Sequence, residues 1–159
     1  MTAKTNAARA LDKLGIAYRL LAYRADAEDL SPERLSRELA MPAEQIYKTL
    51  VARAEPGGLV FVVIPLGAEL DRKALARAAI AKRVELLSRS QLTAAGWVRG
   101  SVTALGAKKP LPVYIEQACR ELPQLGVSAG APGLELVLAP NDYVSATGAR
   151  LLQLTAAKT

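Results

Sequence analysis

A lysine at the start of an apolar segment is the first residue whose setting could support chemistry. Residues 47–51 read Tyr-Lys-Thr-Leu-Val, a strand-like pattern in which Lys48 and Leu50 share one face and Thr49 the other. An ammonium group held against an apolar wall is a localised cation for a phosphate or a polarised carbonyl. The alternative is a lysine at a strand end that extends into water.

A glycine-containing loop followed by two lysines is a second candidate. Residues 100–106 read Gly-Ser-Val-Thr-Ala-Leu-Gly, and Lys108 and Lys109 come directly after. Glycines let a backbone approach a ligand closely and direct amide groups at an anion, while the lysines supply positive charge. The segment has neither the P-loop nor the dinucleotide-binding glycine pattern, and a basic surface turn is the competing interpretation.

A third candidate is the run of small residues at 127–134, Val-Ser-Ala-Gly-Ala-Pro-Gly-Leu. Small residues after a strand leave room for a small substrate, although an ordinary turn is the simpler explanation of this segment taken alone. Asp142, further along, is most simply the N-cap of a final helix.

The absence of histidine limits the possible reactions. None of the 159 residues is histidine, which excludes a Ser-His-Asp triad, a Cys-His dyad and a zinc site with imidazole ligands. Cys119 is the only cysteine, so it has no disulfide partner within the chain, and a core position is the better interpretation. Catalysis must therefore use lysine, carboxylates, hydroxyls, backbone amides or the substrate itself, and we expect neither metal nor cofactor.

The charge of +6 suits a polyanionic partner such as nucleic acid, although it is equally consistent with a basic protein of another kind. The N-terminus has no apolar stretch of signal-peptide type, and the run at 59–66 is too short to cross a bilayer and contains Pro65. We therefore expect a cytoplasmic protein without a membrane partner.

The elements that must position these residues are short and mixed. We expect one domain over residues 1–159, with an α+β fold in which helices flank a mixed, mostly antiparallel, barrel-like sheet. Glycine, proline and capping residues give the expected boundaries. The predicted helices cover residues 5–14, 32–39 and 72–80, a short segment from a cap at Ser88 or Ser90 to near Gly96, a short segment around Cys119, and one after a cap at Asn141 or Asp142. The predicted strands cover 16–23, 49–54, 59–65, 83–87, 112–116, 125–128, 134–138 and 151–154.

Four segments taken together resemble one known family. The stretches at 47–50, 105–112, 127–130 and 133–136 follow the order and spacing of the YbaK family, also called the prolyl-tRNA-synthetase-associated domain. The likeness extends from about residue 11 to residue 154. It implies the same α+β fold and an editing enzyme that hydrolyses the ester of mischarged Cys-tRNA(Pro).

The resemblance also implies roles for individual residues. Lys48 matches the central functional lysine, near the ester and the phosphate of the terminal adenosine. Residues matching the substrate pocket of the family are Tyr23, Thr49, Gly100, Ser101, Ser128, Gly130 and Asp142. We expect Lys108 and Lys109 to contact RNA phosphate.

Three residues depart from the family pattern. Ala104 stands where the family loop has proline, Ser101 where close relatives have a second glycine, and Ser31 or Leu30 where an aromatic residue is expected. All three positions concern the shape of the pocket, so they affect the identity of the edited amino acid more than the type of reaction.

A mechanism that uses the substrate fits a chain without histidine. An aminoacyl ester is already activated, so positioning and charge stabilisation suffice. For a cysteinyl substrate, the resemblance implies a route in which the substrate thiol attacks its own carbonyl to give a thiolactone. The alternatives are a deacylase for Ala-tRNA or other small aminoacyl-tRNAs, a non-catalytic module that binds tRNA or a synthetase, and, less favoured, a lysine Schiff-base enzyme. Prolyl-tRNA synthetase is the partner that the resemblance implies.

Overall fold

The computed structural model describes residues 4–26 and 28–156 and contains five α-helices and eight β-strands in that part of the chain. The helices are α1 (Asn6–Lys13), α2 (Pro32–Leu39), α3 (Arg72–Ala78), α4 (Arg89–Ala94) and α5 (Pro140–Thr147). The strands are β1 (Tyr18–Ala22), β2 (Tyr47–Glu55), β3 (Gly58–Pro65), β4 (Arg83–Leu86), β5 (Val113–Glu116), β6 (Leu125–Ser128), β7 (Leu134–Leu138) and β8 (Arg150–Leu152). Two 3-10 helices, Ala43–Gln45 and Gln117–Glu121, connect neighbouring elements.

The strands form two sheets. One is antiparallel, in the order β1-β7-β6; the other is mixed, in the order β4-β2-β3-β5-β8, with parallel pairing of β5 to β3 and to β8. A single bridge between Ile46 and Gly126 links the sheets, and side chains from both fill one core that includes Phe61, Ile115 and Leu136. The predicted α+β architecture is therefore confirmed.

An opening in the edge of β2 fixes where a site can form. One edge of β2 pairs with β3 from Tyr47 to Ala54. The other edge pairs with β4 only from Ala52 onward, and the bridge at Ile46 joins it to β6. In the described chain, residues 48–50 therefore have no paired strand on that edge, and β4 and β6 diverge on either side of them.

Capping side chains set most helix starts in the described chain. Ser31, Asp71 and Ser88 accept hydrogen bonds from the amides of Arg34, Ala74 and Gln91. The predicted cap at Asn141 or Asp142 is wrong: α5 begins with Pro140 at its first position and Ala139 as cap. Proline suits that position because the first helical amide needs no partner.

The other differences are at element ends. The predicted strand at 16–23 is shorter and the β2–β3 hairpin longer than expected, because pairing with β7 and β3 decides where strands stop. Helix α3 ends at Ala78, two residues early, and Ile80 has a positive φ of 53°. The last strand covers Arg150–Leu152 rather than 151–154. Across residues 4–26 and 28–156, no helix is long and apolar enough to cross a membrane.

Candidate active site

A cavity of about 500 Å³ lies at the opening in the edge of β2. Residues 46–51 form one side, the end of β4 and helix α4 a second, and the loop around Gly100 together with Ser128 a third. Tyr23 and Leu30, from the segment between β1 and α2, also line it. The structure thus brings together residues that are far apart in the sequence.

Lys48 is the half-buried cation of this cavity. Burial lowers the pKa of its ammonium group, the carboxylate of Glu69 opposes that effect, and the charge of Arg99 adds to it. Among the residues the structure describes, Lys48 has no ion-pair partner within 4.0 Å. A partly desolvated ammonium without a carboxylate partner is well suited to bind an anion or a developing negative charge.

The hydroxyl of Thr49 lies on the core side of β2. Its Oγ1 is buried and has no hydrogen-bond partner in the described chain, and the same is true of the Tyr143 hydroxyl. Burial raises the pKa of Tyr143, and the neighbouring Thr49 hydroxyl opposes that rise. Thr49 lines the same cavity as Lys48.

Gly100 and Ser128 meet at the cavity wall. The Ser128 hydroxyl donates to the carbonyl of Gly100 at 3.2 Å and accepts the amide of Gly130 at 3.1 Å. Gly100 has a φ of +85°, which a glycine adopts readily. The loop and the small-residue segment are therefore joined into one wall.

Glu135 is a cavity residue that the sequence analysis did not identify. It lies on β7 with only 4% of its surface exposed, and its Oε2 has no hydrogen-bond partner in residues 4–26 and 28–156. Burial raises the pKa of this carboxyl to about 8, so it is largely protonated at neutral pH. Burial also raises the pKa of Tyr23, and the negative charge of ionised Glu135 raises it further. The available signal was an acidic residue within the apolar run of 134–138.

Two arginines at the cavity were also not identified. Arg89 and Arg99 both line it, and both side chains are exposed. Arg89 pairs with Glu28 at 3.0 Å. With Lys48 they give this side of the molecule three cations around one opening, which favours an anionic ligand.

The structure places the remaining predicted site residues elsewhere. Ser101, Gly130, Lys108 and Lys109 line a second cavity, and Asp142 lies in the first turn of α5 and lines neither cavity. Cys119 is buried in the core, where burial raises the pKa of its thiol to about 11. In the described part of the chain, no three His, Cys, Asp or Glu side chains are grouped to hold a metal ion.

Comparison with solved structures confirms the fold. The crystal structure of a hypothetical protein superposes with a TM-score of 0.85 at 19% identity, covering 96% of this chain and 100% of that chain. A structure described as a candidate trans-editing enzyme for prolyl-tRNA synthetase gives a TM-score of 0.82 at 20% identity, covering 98% and 100%.

Sequence comparison gives the family. The chain is 34% identical over 153 residues to a candidate Cys-tRNA(Pro)/Cys-tRNA(Cys) deacylase of Enterococcus faecalis, EbsC, covering 96% of this chain and 93% of the relative. The model of the aminoacyl-tRNA editing domain matches residues 27–146. The resemblance stated above is thereby confirmed, and with it the general type of activity, editing of aminoacyl-tRNA. The chain belongs to the aminoacyl-tRNA editing domain family.

Proposed function

We propose that this chain acts as one cytoplasmic editing domain that hydrolyses the ester of mischarged Cys-tRNA(Pro) in trans. The observation that carries this proposal is the half-buried ammonium of Lys48, which has no carboxylate partner in the described chain, at a cavity walled by Gly100 and Ser128. The name of the Enterococcus faecalis relative supports the choice of cysteine and tRNA(Pro). The description of the structural neighbour supports prolyl-tRNA synthetase as the companion enzyme.

The three cations bind different parts of the substrate. Lys48 is the most buried of the three and binds the phosphate of the terminal adenosine or the ester carbonyl as negative charge develops there. Arg89 and Arg99 have exposed side chains, so they attract the RNA backbone. Tyr23 and Thr49 contact the aminoacyl group from the sides of the cavity.

The cavity offers no strong nucleophile of its own. No cysteine is among its lining residues, and Cys119 is fully buried with its pKa raised to about 11, so it is almost entirely a neutral thiol at neutral pH. Hydrolysis therefore depends on a group that the substrate or the solvent brings.

For a cysteinyl ester that group is the substrate thiol. The sulfur attacks the carbonyl carbon, a C–S bond forms, and the C–O bond to the ribose breaks. The thiol proton ends on the ribose oxygen, and water then opens the released thiolactone. Lys48 and amides of the Gly100 loop stabilise the oxyanion, and the cavity walls hold sulfur and carbonyl near each other.

Glu135 favours a second candidate, a deacylase for Ala-tRNA or another small aminoacyl-tRNA. A substrate without a thiol needs an activated water, and Glu135 is a buried carboxyl at the cavity. Because its pKa is raised to about 8, its basic form becomes abundant only above neutral pH. This candidate therefore predicts a rate that rises through pH 8.

A panel of mischarged tRNA(Pro) molecules separates these candidates. Cys-, Ser-, Ala- and Pro-tRNA(Pro) are incubated with the protein, and release of each amino acid is measured at pH 7 and pH 9. The proposal predicts that Cys is released at least about ten-fold faster than Ser, whose hydroxyl is the weaker nucleophile. Fastest release of Ala, rising with pH, supports the second candidate. Binding without release of any amino acid refutes both and leaves a non-catalytic tRNA-binding module.

A further inference from the structure

A second cavity, of about 550 Å³, lies behind the wall of the first. Gly100, Val102 and Ser128 line the first cavity, whereas Ser101, Thr103 and Gly130 line the second. The segment 100–103 therefore contributes alternate residues to the two cavities, and the segment 128–130 contributes Ser128 to the first and Ala129 and Gly130 to the second. The proposed editing reaction uses only the first.

The lining of the second cavity combines positive charge with one aromatic ring. Lys108 and Lys109 are exposed and have no ion-pair partner in the part of the chain that is described, and no lining residue is Asp or Glu. Trp97 lies partly buried at the same cavity, with its ring centroid 5.9 Å from that of Phe61 in an edge-on arrangement. A cationic groove with an aromatic side chain is the combination that single-stranded nucleic acid binders use.

The lysines are held in place by a close backbone contact. Gly106 has a φ of +63°, and a Cβ there would lie 2.6 Å from the carbonyl oxygen of Asn6. Only glycine permits this approach, so the turn before Lys108 is packed against the start of α1. The two ammonium groups are thus attached to a fixed turn rather than to a free loop.

We infer that the second cavity binds the unpaired nucleotides that precede the aminoacylated adenosine of tRNA. This inference rests on the proposed function, which places the terminal adenosine in the first cavity. The RNA chain must then leave past the rim, where Gly100 belongs to one cavity and Ser101 to the next. One base contacts Trp97, and the adjacent phosphates lie at Lys108 and Lys109.

The intrinsic fluorescence of the protein tests this assignment directly. Trp97 is the only tryptophan among the 159 residues. A short, non-acylated RNA ending in CCA is titrated into the full chain at low salt. We expect saturable quenching of Trp97, because a base comes into contact with its ring.

Substitutions then identify the contacts. The double variant Lys108→Ala, Lys109→Ala should bind about ten-fold more weakly, and its slope of log K against log salt should fall by about 1.4, since a single strand loses about 0.7 per phosphate contact. Trp97→Phe, followed through the anisotropy of labelled RNA, should bind about five-fold more weakly. Lys82→Ala removes an exposed lysine that lines neither cavity and should match the wild type.

The outcomes distinguish this inference from the proposed function. Absence of quenching, or a double variant that binds like Lys82→Ala, overturns the second cavity as an RNA site even if mischarged tRNA is hydrolysed. Quenching that depends on Lys108 and Lys109, without release of any amino acid from mischarged tRNA, supports the RNA site and refutes the deacylase. Circular dichroism of each variant checks that the fold is intact.

Discussion

The hydroxyl of Ser128 is hydrogen-bonded to the carbonyl of Gly100 at 3.2 Å, although 28 residues separate the two in the chain. This bond joins the loop after Arg99 to the end of β6, and the wall that it forms separates the two cavities. The bond therefore positions the backbone that faces the ester in the proposed reaction.

Ser128→Ala should reduce catalysis more than stability. Loss of one neutral hydrogen bond costs about 1 kcal/mol of unfolding free energy, whereas a displaced loop should lower kcat by about ten- to a hundred-fold. Single-turnover deacylation and urea unfolding measure the two effects. Ser128→Thr keeps the hydroxyl and should retain most of the activity; equal kcat in the alanine variant and the wild type would contradict the positioning role.

Glu135→Gln should change how stability depends on pH. The pKa of Glu135 in the folded protein is about 8, above the ordinary value of 4.5, because burial disfavours the charged form. The contribution of Glu135 to the free energy of unfolding is therefore fully present below pH 4.5 and is lost as the pH rises through 8. The glutamine variant should therefore be the more stable protein at pH 9, by up to about 5 kcal/mol. Urea unfolding at pH 4, 7 and 9 tests this, with the exposed Glu121→Gln as control. A constant difference between wild type and Glu135→Gln across this range would show that burial does not shift the pKa.

Cys119→Ala should leave deacylation of Cys-tRNA(Pro) unchanged. The thiol is buried in the core and lines neither cavity. Its removal should therefore lower the free energy of unfolding by about 1–2 kcal/mol through lost packing and leave the reaction unaffected. Activity at a temperature well below the unfolding midpoint is the measurement. Loss of activity in a folded variant would mean that the enzyme supplies its own sulfur nucleophile.

Gly106→Ala should destabilise the chain strongly for a single added methyl group. The positive φ and the 2.6 Å approach to the carbonyl of Asn6 together should cost about 2–4 kcal/mol. Gly15→Ala is the matched control, because its φ is +70° and no atom lies within 4 Å of an added Cβ. Thermal unfolding of both variants separates the backbone strain of a positive φ from the steric clash of the added Cβ with Asn6. Equal losses of stability in the two variants would show that the contact with Asn6 is unimportant.

The position of Lys48 at the start of a strand was predictable because it depends on local pattern. The β2–β3 hairpin follows from two apolar or β-branched runs around a Pro-Gly-Gly turn, and the period of two places Lys48 and Thr49 on opposite faces. The order of the family-like segments gave Gly100 and Ser128, which the structure brings to one wall.

Glu135 and the position of Asp142 depend on packing that no local pattern shows. In a run of Leu-Glu-Leu-Val-Leu, the period of two suggests that the glutamate faces water. Strand β7, however, lies between β1 and β6, and all five of its residues are buried. Asp142 follows a proline that already starts the helix, so it cannot be the cap. Likewise, the separation of Lys108 and Lys109 from the first cavity follows from the contact between Gly106 and α1.

The most direct test of the account is single-turnover hydrolysis of Cys-tRNA(Pro) by Lys48→Ala beside Lys82→Ala, a lysine that lines neither cavity. Loss of a charge that stabilises the oxyanion should lower the rate by about a hundred-fold or more, with unfolding unchanged, while Lys82→Ala keeps the wild-type rate. Removal of an oxyanion-stabilising group lowers a rate about a hundred-fold or more. A Lys48→Ala rate within about two-fold of the wild-type rate would therefore contradict the proposed role of Lys48.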